Sequence, residues 1–311
     1  MSTPDSRRLL FVTLSNIGDL IMTTPALRAL HDAYPNHLID IVADLRSSPL
    51  LAACPYLGRL YHRHKEAGTA DILRLVHGLR RIYYTAIVDL RTDFLPWLLR
   101  GERRIVRWQR KTPEGHATAR HLAVAAAVLP TPVELPYAEV WTSDADCEFA
   151  ANTLSAQHGD RILAIAPGAN WPGKIWPVAH YAELIAHASR EFSTLLILGG
   201  AADLAAADFL AATNKLPVLN LTGRTSLTQA AALLDHARAF VGNDSGLGHL
   251  AAARRIPTLT LFGPGDPARY RPWGPITSLV RAPNDDLSRL SASTVAAELR
   301  DLIARAPLCD G

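Results

Sequence analysis

The stretch Phe240 to Ala253, FVGNDSGLGHLAAA, reads as a strand ending at Val241, a turn at Gly242 and Asn243, a capping position at Asp244 or Ser245, and an alanine-rich helix starting near Gly246. A strand that passes directly into a helix is the unit from which open parallel sheets are wound. Such a turn offers free backbone N–H groups and the positive end of a helix dipole, a setting that suits phosphate. The glycines follow G-x3-G-x-G and so depart from the G-x-G-x-x-G dinucleotide fingerprint. Ser245 lacks the G-x-S-x-G frame of a nucleophile elbow, and Asp244, Ser245 and His249 are too close along the chain to orient one another as a relay. A capped, closely packed helix without any ligand would use the same letters.

The rhythm extends to both sides of this stretch. Ile162–Ala166, Thr194–Leu198, Pro217–Asn220, Ala239–Val241 and Thr258–Phe262 are short strand candidates, separated by helical patterns at 178–190, 203–212, 227–236 and 246–253. Before them, Leu9–Leu14, Leu38–Ala43 and Ala86–Leu90 read as buried strands, with helices over Gly18–Tyr34 and Ile72–Arg81. Between the halves, LPTPVELPYAEVW carries Pro130, Pro132 and Pro136, too many for a regular element. The expected architecture is α/β, with two doubly wound, Rossmann-like parallel-sheet domains over residues 1–140 and 141–311, facing each other across a cleft. The last helical pattern, Ser293–Arg305, has no strand to follow it and is a candidate to pack back on the first domain.

A length of 311 residues suits two such domains, and 49% hydrophobic residues with 20% charged exclude a disordered chain. No apolar run approaches the roughly 18 residues of a membrane span, and MSTPDSRR has no apolar signal core behind it, so a cytoplasmic protein is expected. Cys54, Cys147 and Cys309 are far apart and odd in number, which suggests neither a disulfide framework nor a zinc site. The net charge of +3 is concentrated in the first half. Its densest run holds Arg100, Arg103, Arg104, Arg107, Arg110 and Lys111 against Glu102 alone, either a solvated face or a site for an acidic partner.

Other strand ends carry chemistry-bearing residues. Ala166–Pro177, APGANWPGKIWP, presents Lys174 in an apolar and aromatic loop at the carboxyl side of a strand, where ligands of open α/β sheets bind. Asp203, closing LGGAAD, is placed to accept hydrogen bonds from a ribose or simply to favour a helix N-terminus. SNIGD, residues 15–19, sets Asp19 at a helix start, as a first-turn acid or a base within reach of a substrate proton. Asp144-Ala145-Asp146 has a D-x-D spelling that holds a metal ion in enzymes of another fold, but its place in the linker reads as a helix cap. His62 and His64 have no carboxylate or cysteine cluster beside them to complete a metal site.

Taken together, SNIGDLIMTTPALRAL at 15–30, PGANWPGKIWP at 167–177, LGGAAD at 198–203, LTGRTSL at 221–227 and GNDSGLGHLAAA at 242–253 resemble glycosyltransferase family 9, the bacterial heptosyltransferases of lipopolysaccharide core synthesis. The resemblance implies a GT-B fold with the acceptor on the N-terminal domain and the nucleotide sugar on the C-terminal one. It also implies an inverting reaction without a catalytic metal or other cofactor, with ADP-heptose as the default donor. By the same resemblance Asp19 matches the general base and Lys174 the lysine that holds the diphosphate. Ser245 and Gly246 match the pair whose backbone meets the phosphates, in the motif that Asp244 opens, and His249 matches a residue that orients this loop. Thr225, Ser226 and Leu227 match the segment lying against adenine. Asp203 stands where the family often has a ribose-binding glutamate, and its shorter side chain reaches less far.

The acceptor stays open: lipopolysaccharide inner core, another glycan, a protein or a small molecule. An anionic glycolipid would give Arg59, Arg63, Lys65, Arg103, Arg104 and Arg107 a role in acceptor contact, and the basic run a role at the cytoplasmic face of the inner membrane. Two other classes compete, a nicotinamide-dependent oxidoreductase and a sugar-nucleotide-binding protein without turnover. SNIGD in place of a G-x-G-x-x-G argues against the first, and Asp19 against the second.

Overall fold

The structure, a computed structural model, describes residues 7–63, 68–109, 113–155 and 161–306. The chain divides into two compact units, Met1–Trp141 and Thr142–Gly311. Residues 129–143, with the three prolines, hold no helix or strand. Of the residues singled out in the sequence, His64, Lys65, Arg110, Lys111 and Cys309 lie outside the described residues.

The first unit runs β1 (Arg8–Val12), α1 (Ile17–Ile21), α2 (Thr24–Ala33), β2 (Leu38–Asp44), β3 (Leu57–Arg63), α3 (Thr69–Arg80), β4 (Tyr83–Asp89), β5 (Arg100–Val106) and α4 (Ala117–Ala125). Its strands make one parallel sheet in the order β3-β2-β1-β4-β5. The three strands expected from apolar runs are the inner ones, buried on both faces as parallel strands require. The two edge strands were not expected, because their letters are polar. The basic run opens as β5, so Arg100, Arg103 and Arg104 belong to an edge strand, where charge discourages pairing with another chain. The helix expected over Gly18–Tyr34 is two helices. Thr23 and Thr24 hydroxyls donate to the carbonyls of Leu20 and Ile21 at the end of α1, and Pro25, which has no N–H, stands in the first turn of α2.

The second unit runs α5 (Asp144–Ser155), β6 (Ile162–Ala166), α6 (Val178–Ala188), β7 (Thr194–Ile197), α7 (Leu204–Thr213), β8 (Val218–Asn220), α8 (Leu227–Leu234), β9 (Ala237–Asn243), α9 (Gly246–Ala253), β10 (Thr258–Phe262), α10 (Pro267–Tyr270), β11 (Thr277–Arg281) and α11 (Ala292–Arg305). The parallel sheet order is β11-β10-β9-β6-β7-β8. Helix α11 corrects an expectation. Its apolar face, Ala292, Val295, Ala296, Leu299 and Leu302, belongs to the core of this second unit, together with Leu163, Tyr181, Ile185 and Leu261. The spacing of those residues is that of one helical stripe, and Ser291 caps the helix by accepting from the Thr294 N–H.

Both sheets share one topological feature. The first strand of each unit pairs with its fourth, β1 with β4 and β6 with β9, and the winding direction reverses there. Ligands of open α/β sheets bind outside the carboxyl ends of the strands at this switch point. The fold thus selects four connections: those after β1, β4, β6 and β9. Among the described residues no helix is long and apolar enough to cross a membrane.

Candidate functional site

In the second unit, the connections after β6 and β9 meet. Lys174 ends a short 3-10 turn, Pro172–Lys174, and its Nζ lies 2.5 Å from Asp244 Oδ2. Asp244 is 8% exposed and Lys174 31%. The capping position expected at Asp244 or Ser245 is Ser245, whereas the turn expected at Gly242 and Asn243 is corrected, since the ladder of β9 continues through both residues. Asp244 uses its carboxylate on Lys174, and Ser245 occupies the N-cap position in extended conformation without a side-chain cap bond. The first-turn N–H groups of α9, beginning at Gly246, therefore have no side-chain acceptor at the N-cap, and the helix dipole adds to the positive charge of Lys174. His249 is buried one turn further along α9. The loop after β10 completes this edge. A Cβ on Gly265 would stand 2.7 Å from Asp244 Oδ2, so only glycine lets that loop pass so close to the carboxylate.

The next side of the same edge is built on glycines. Asp203 Oδ2 accepts from the Gly200 N–H at 2.8 Å, and the Asp203 N–H returns a bond to the Gly200 carbonyl, so the carboxylate closes its own turn at the start of α7. It also lies over Gly168 and Gly199, where added Cβ atoms would fall 1.9 Å and 2.8 Å from its oxygens. Asp203 is thereby held at the ends of β6 and β7 together. The LTGRTSL segment is tied to it: Gly223, in left-handed conformation at φ +71°, donates to the Gly199 carbonyl. Ser226 caps α8 in a reciprocal pair with Gln229, its hydroxyl accepting from the Gln229 N–H while Gln229 Oε1 accepts from the Ser226 N–H. Of Thr225, Ser226 and Leu227, the serine hydroxyl is thus engaged in a structural bond, while the segment stays partly exposed.

Asp146 of the D-x-D spelling is the third helical residue of α5 rather than the cap. Its Oδ2 accepts from the N–H and hydroxyl of Ser143, and its Oδ1 from Thr228. Burial opposes its ionisation, but these bonds outweigh burial and hold its pKa below the usual carboxylate range. Among the described residues no group of three His, Cys, Asp or Glu side chains could hold a metal ion.

In the first unit, Asp19 stands in the first turn of α1, half-buried, and Asn16 Nδ2 donates to its Oδ2 at 2.9 Å. The ends of β2, β3 and β4 add a charged group that sequence reading had not assembled. Asp44 is buried, Arg46 Nε donates to it at 3.0 Å, and Arg91, whose side chain is 16% exposed, approaches it to 4.0 Å. Burial works against the Asp44 charge, yet Arg46 and Arg91 hold its pKa low. Arg91 has its own pKa lowered, by burial first and then by Arg63 nearby. Of the residues expected to contact an acceptor, Arg63 belongs to this cluster. Asp89, at the end of β4, is fully buried and accepts from the N–H groups of Arg91 and Thr92 and from the Thr92 hydroxyl; burial raises its pKa despite those bonds.

The other expected acceptor arginines bind their own chain. Arg103 donates to the carbonyls of Ala127 and Val128, Arg104 to those of Pro96 and Leu99, and Arg107 pairs with Asp93 at 3.1 Å. Arg59, on β3, is hydrogen bonded to Tyr61, which raises its pKa, while its backbone N–H donates to Asp40. Arg46 and Arg91 escaped notice because each stands alone in a loop; the signal that could have found Arg91 is its place just after the fourth strand.

The family model for glycosyltransferase family 9 (heptosyltransferase) matches residues 99–298. Lipopolysaccharide heptosyltransferase 2 of Escherichia coli K12 is 30% identical, with 84% of each chain covered. The solved E. coli ADP-heptose LPS heptosyltransferase II superposes with a TM-score of 0.81 at 26% identity, over 96% of this chain and 99% of that one. A family 9 glycosyl transferase from Veillonella parvula shares the fold, with a TM-score of 0.89 at 19% identity over 98% and 99% of the two chains. With its two Rossmann-like units of GT-B class and matches that run through both, the chain belongs to glycosyltransferase family 9, the heptosyltransferase family.

Proposed function

We propose that this glycosyltransferase moves a heptose from ADP-heptose to a hydroxyl of an acidic glycolipid, the inner core of lipopolysaccharide, with inversion at the anomeric carbon. The observation that carries the reading is the convergence of Lys174 and the N-terminus of α9 at the switch point of the second unit, which suits a diphosphate. The relatives' names supply the sugar and the acceptor class: an ADP-heptose LPS heptosyltransferase II among the structures and lipopolysaccharide heptosyltransferases among the sequences. The Arg46, Arg63 and Arg91 group favours an acceptor bearing carboxylates or phosphates.

In this mechanism the acceptor oxygen attacks the anomeric carbon as the bond to the ADP oxygen breaks, and ADP leaves with the electron pair. Asp19 takes the hydroxyl proton, and Lys174 with the α9 N–H groups stabilises the charge growing on the diphosphate. A single displacement inverts configuration. Positive charge from the protein fills the role a metal ion has elsewhere, and Asp146, its oxygens bonded to Ser143 and Thr228, serves the α5 N-terminus instead. Thr225–Leu227 and Asp203 receive the adenosine. The enzyme acts at the cytoplasmic face of the inner membrane, where such an acceptor is exposed.

The test is Asp19→Asn with ADP-heptose and a lipopolysaccharide core acceptor lacking the heptose. ADP release should collapse by about 100-fold or more while ADP affinity stays within about twofold, since a general base contributes on the order of 10²–10⁴ in rate. Retained turnover would remove Asp19 as the base, and ADP release without acceptor would remove the transfer reading.

A further inference from the structure

Asn243 closes β9 and immediately precedes Asp244, and its side chain is completely buried. Its Oδ1 accepts from the Trp176 N–H at 3.1 Å and from the Tyr181 hydroxyl at 3.2 Å, and its Nδ2 donates to the carbonyls of Pro167 at 2.7 Å and Gly168 at 3.3 Å. A carboxamide has two acceptor sites and two protons, so every hydrogen-bonding position it possesses is filled. Two of the four partners stand at the start of the loop after β6, a third near its end, and the fourth on α6. Lys174 lies inside the segment pinned in this way, two residues before Trp176.

Neighbouring contacts make the end of the loop stiffer. The Trp176 indole is buried and donates to the Leu290 carbonyl at 2.9 Å, and it packs edge-on against Tyr181. The crown of the loop, by contrast, is open, with Trp171 53% exposed. The ammonium of Lys174 therefore extends from a loop whose two ends are fastened to β9, the strand that also delivers Asp244 and the start of α9.

We propose that Asn243 is a positioning residue for the donor site: its carboxamide sets the spacing between Lys174 and the N-terminus of α9, so that both engage one diphosphate at once. The proposal rests on the assignment of Lys174 to the diphosphate. The role needs an amide specifically. An aspartate has the same shape but would turn one carboxylate oxygen, in place of the NH2 group, toward the Pro167 and Gly168 carbonyls, leaving buried oxygens opposed without a proton between them. A serine is small enough to enter the space but spans only one of the two loop ends.

The experiment is a double-mutant cycle on the full-length enzyme between Asn243 and Lys174, read by titration calorimetry with ADP as the probe. In the wild-type background, Lys174→Ala weakens ADP binding by at least tenfold; if it does not, the diphosphate assignment fails and the positioning role fails with it. Asn243→Ser, folded by circular dichroism, should weaken ADP binding by tenfold or more and reduce the Lys174→Ala factor to threefold or less. The donor KM should rise while the acceptor KM holds within twofold. A residue that merely supports the fold would leave the Lys174→Ala factor undiminished, and that additive result overturns the proposal, as does wild-type ADP affinity in Asn243→Ser. If Asn243→Ser does not fold, Tyr181→Phe removes one of the four bonds at constant shape, together with the contact that the same hydroxyl makes with the Ala166 carbonyl at 3.3 Å. A two- to fivefold loss of ADP affinity, smaller in the Lys174→Ala background, then supports the proposal, and an unchanged or additive loss rejects it.

Discussion

Lys174 and Asp244 form an ion pair 2.5 Å long between the loop after β6 and the residue that follows β9. The pair sets a carboxylate against the ammonium offered to phosphate, so two opposite effects operate at one place. Asp244 fixes where the ammonium sits, and its own negative charge opposes an incoming anion. Lys174→Ala should lower ADP affinity by about 10- to 100-fold, the size of a charged hydrogen bond, and make binding less sensitive to salt. Asp244→Asn added to Lys174→Ala should recover part of the loss, because it removes a buried carboxylate left without its partner. Calorimetric titration with ADP at two salt concentrations checks both expectations.

Gly168 and Asp203 are matched in the same way. A methyl group on Gly168 would occupy the position of the Asp203 carboxylate, 1.9 Å from Oδ1, and the side chain must swing away and release the Gly200 N–H. Gly168→Ala should cost about 1–3 kcal/mol of stability and reduce ADP affinity as much as Asp203→Ala does. In an Asp203→Ala background the affinity effect of Gly168→Ala should vanish. Urea denaturation and ADP titration on the three variants measure this.

Asp89 predicts a pH dependence of stability. Burial raises its folded pKa above the unfolded value of about 4, so the folded state holds the proton over a range where the unfolded chain has lost it. Stability from this group therefore falls as pH rises from about 4 through the raised folded value and is constant above it. Asp89→Asn keeps an oxygen for the N–H groups of Arg91 and Thr92 and carries no charge. Its stability relative to wild type should increase across that window and then level off. Denaturation midpoints at a series of pH values test the sign.

Two kinds of arginine should separate on substitution. Arg103 donates to the carbonyls of Ala127 and Val128, so Arg103→Ala should lose about 1 kcal/mol of stability and leave the acceptor KM unchanged. Arg91 stands in the cluster at the ends of β2, β3 and β4, and Arg91→Ala should raise the acceptor KM several-fold, with an effect that shrinks at high salt. Steady-state kinetics at low and high ionic strength, beside a thermal melt of each variant, separates the two.

What was legible in the letters follows from burial. Inner parallel strands are covered on both faces, so β1, β2, β4, β6, β7, β9 and β10 appear as apolar runs, and turns between strand and helix are marked by Gly168 and Gly199, while Gly242 belongs to β9 itself. Of the four edge strands, β3, β5 and β11 are partly exposed, tolerate polar residues, and left no such run, while the short β8 was marked by Pro217–Asn220. For the same reason the basic run read equally as a solvated face or as a site for an acidic partner, while in the fold Arg100–Val106 forms an edge strand whose Arg103 and Arg104 satisfy carbonyls of their own unit.

The order of strands, helices and glycine turns along the chain was sufficient for the two doubly wound sheets, and motif spelling was sufficient for the family and for Asp19, Lys174 and Ser245 as candidates. Pairings between distant segments were not available from it. That Asn243 uses all four of its hydrogen-bonding positions on residues some 60 to 80 positions away, that Asp203 rests on Gly168, and that Arg46, Arg63 and Arg91 collect near Asp44 depend on which strands lie side by side. Local propensity acts over a few residues, whereas these contacts are set by sheet order and loop closure, and they exist only once the strands have paired.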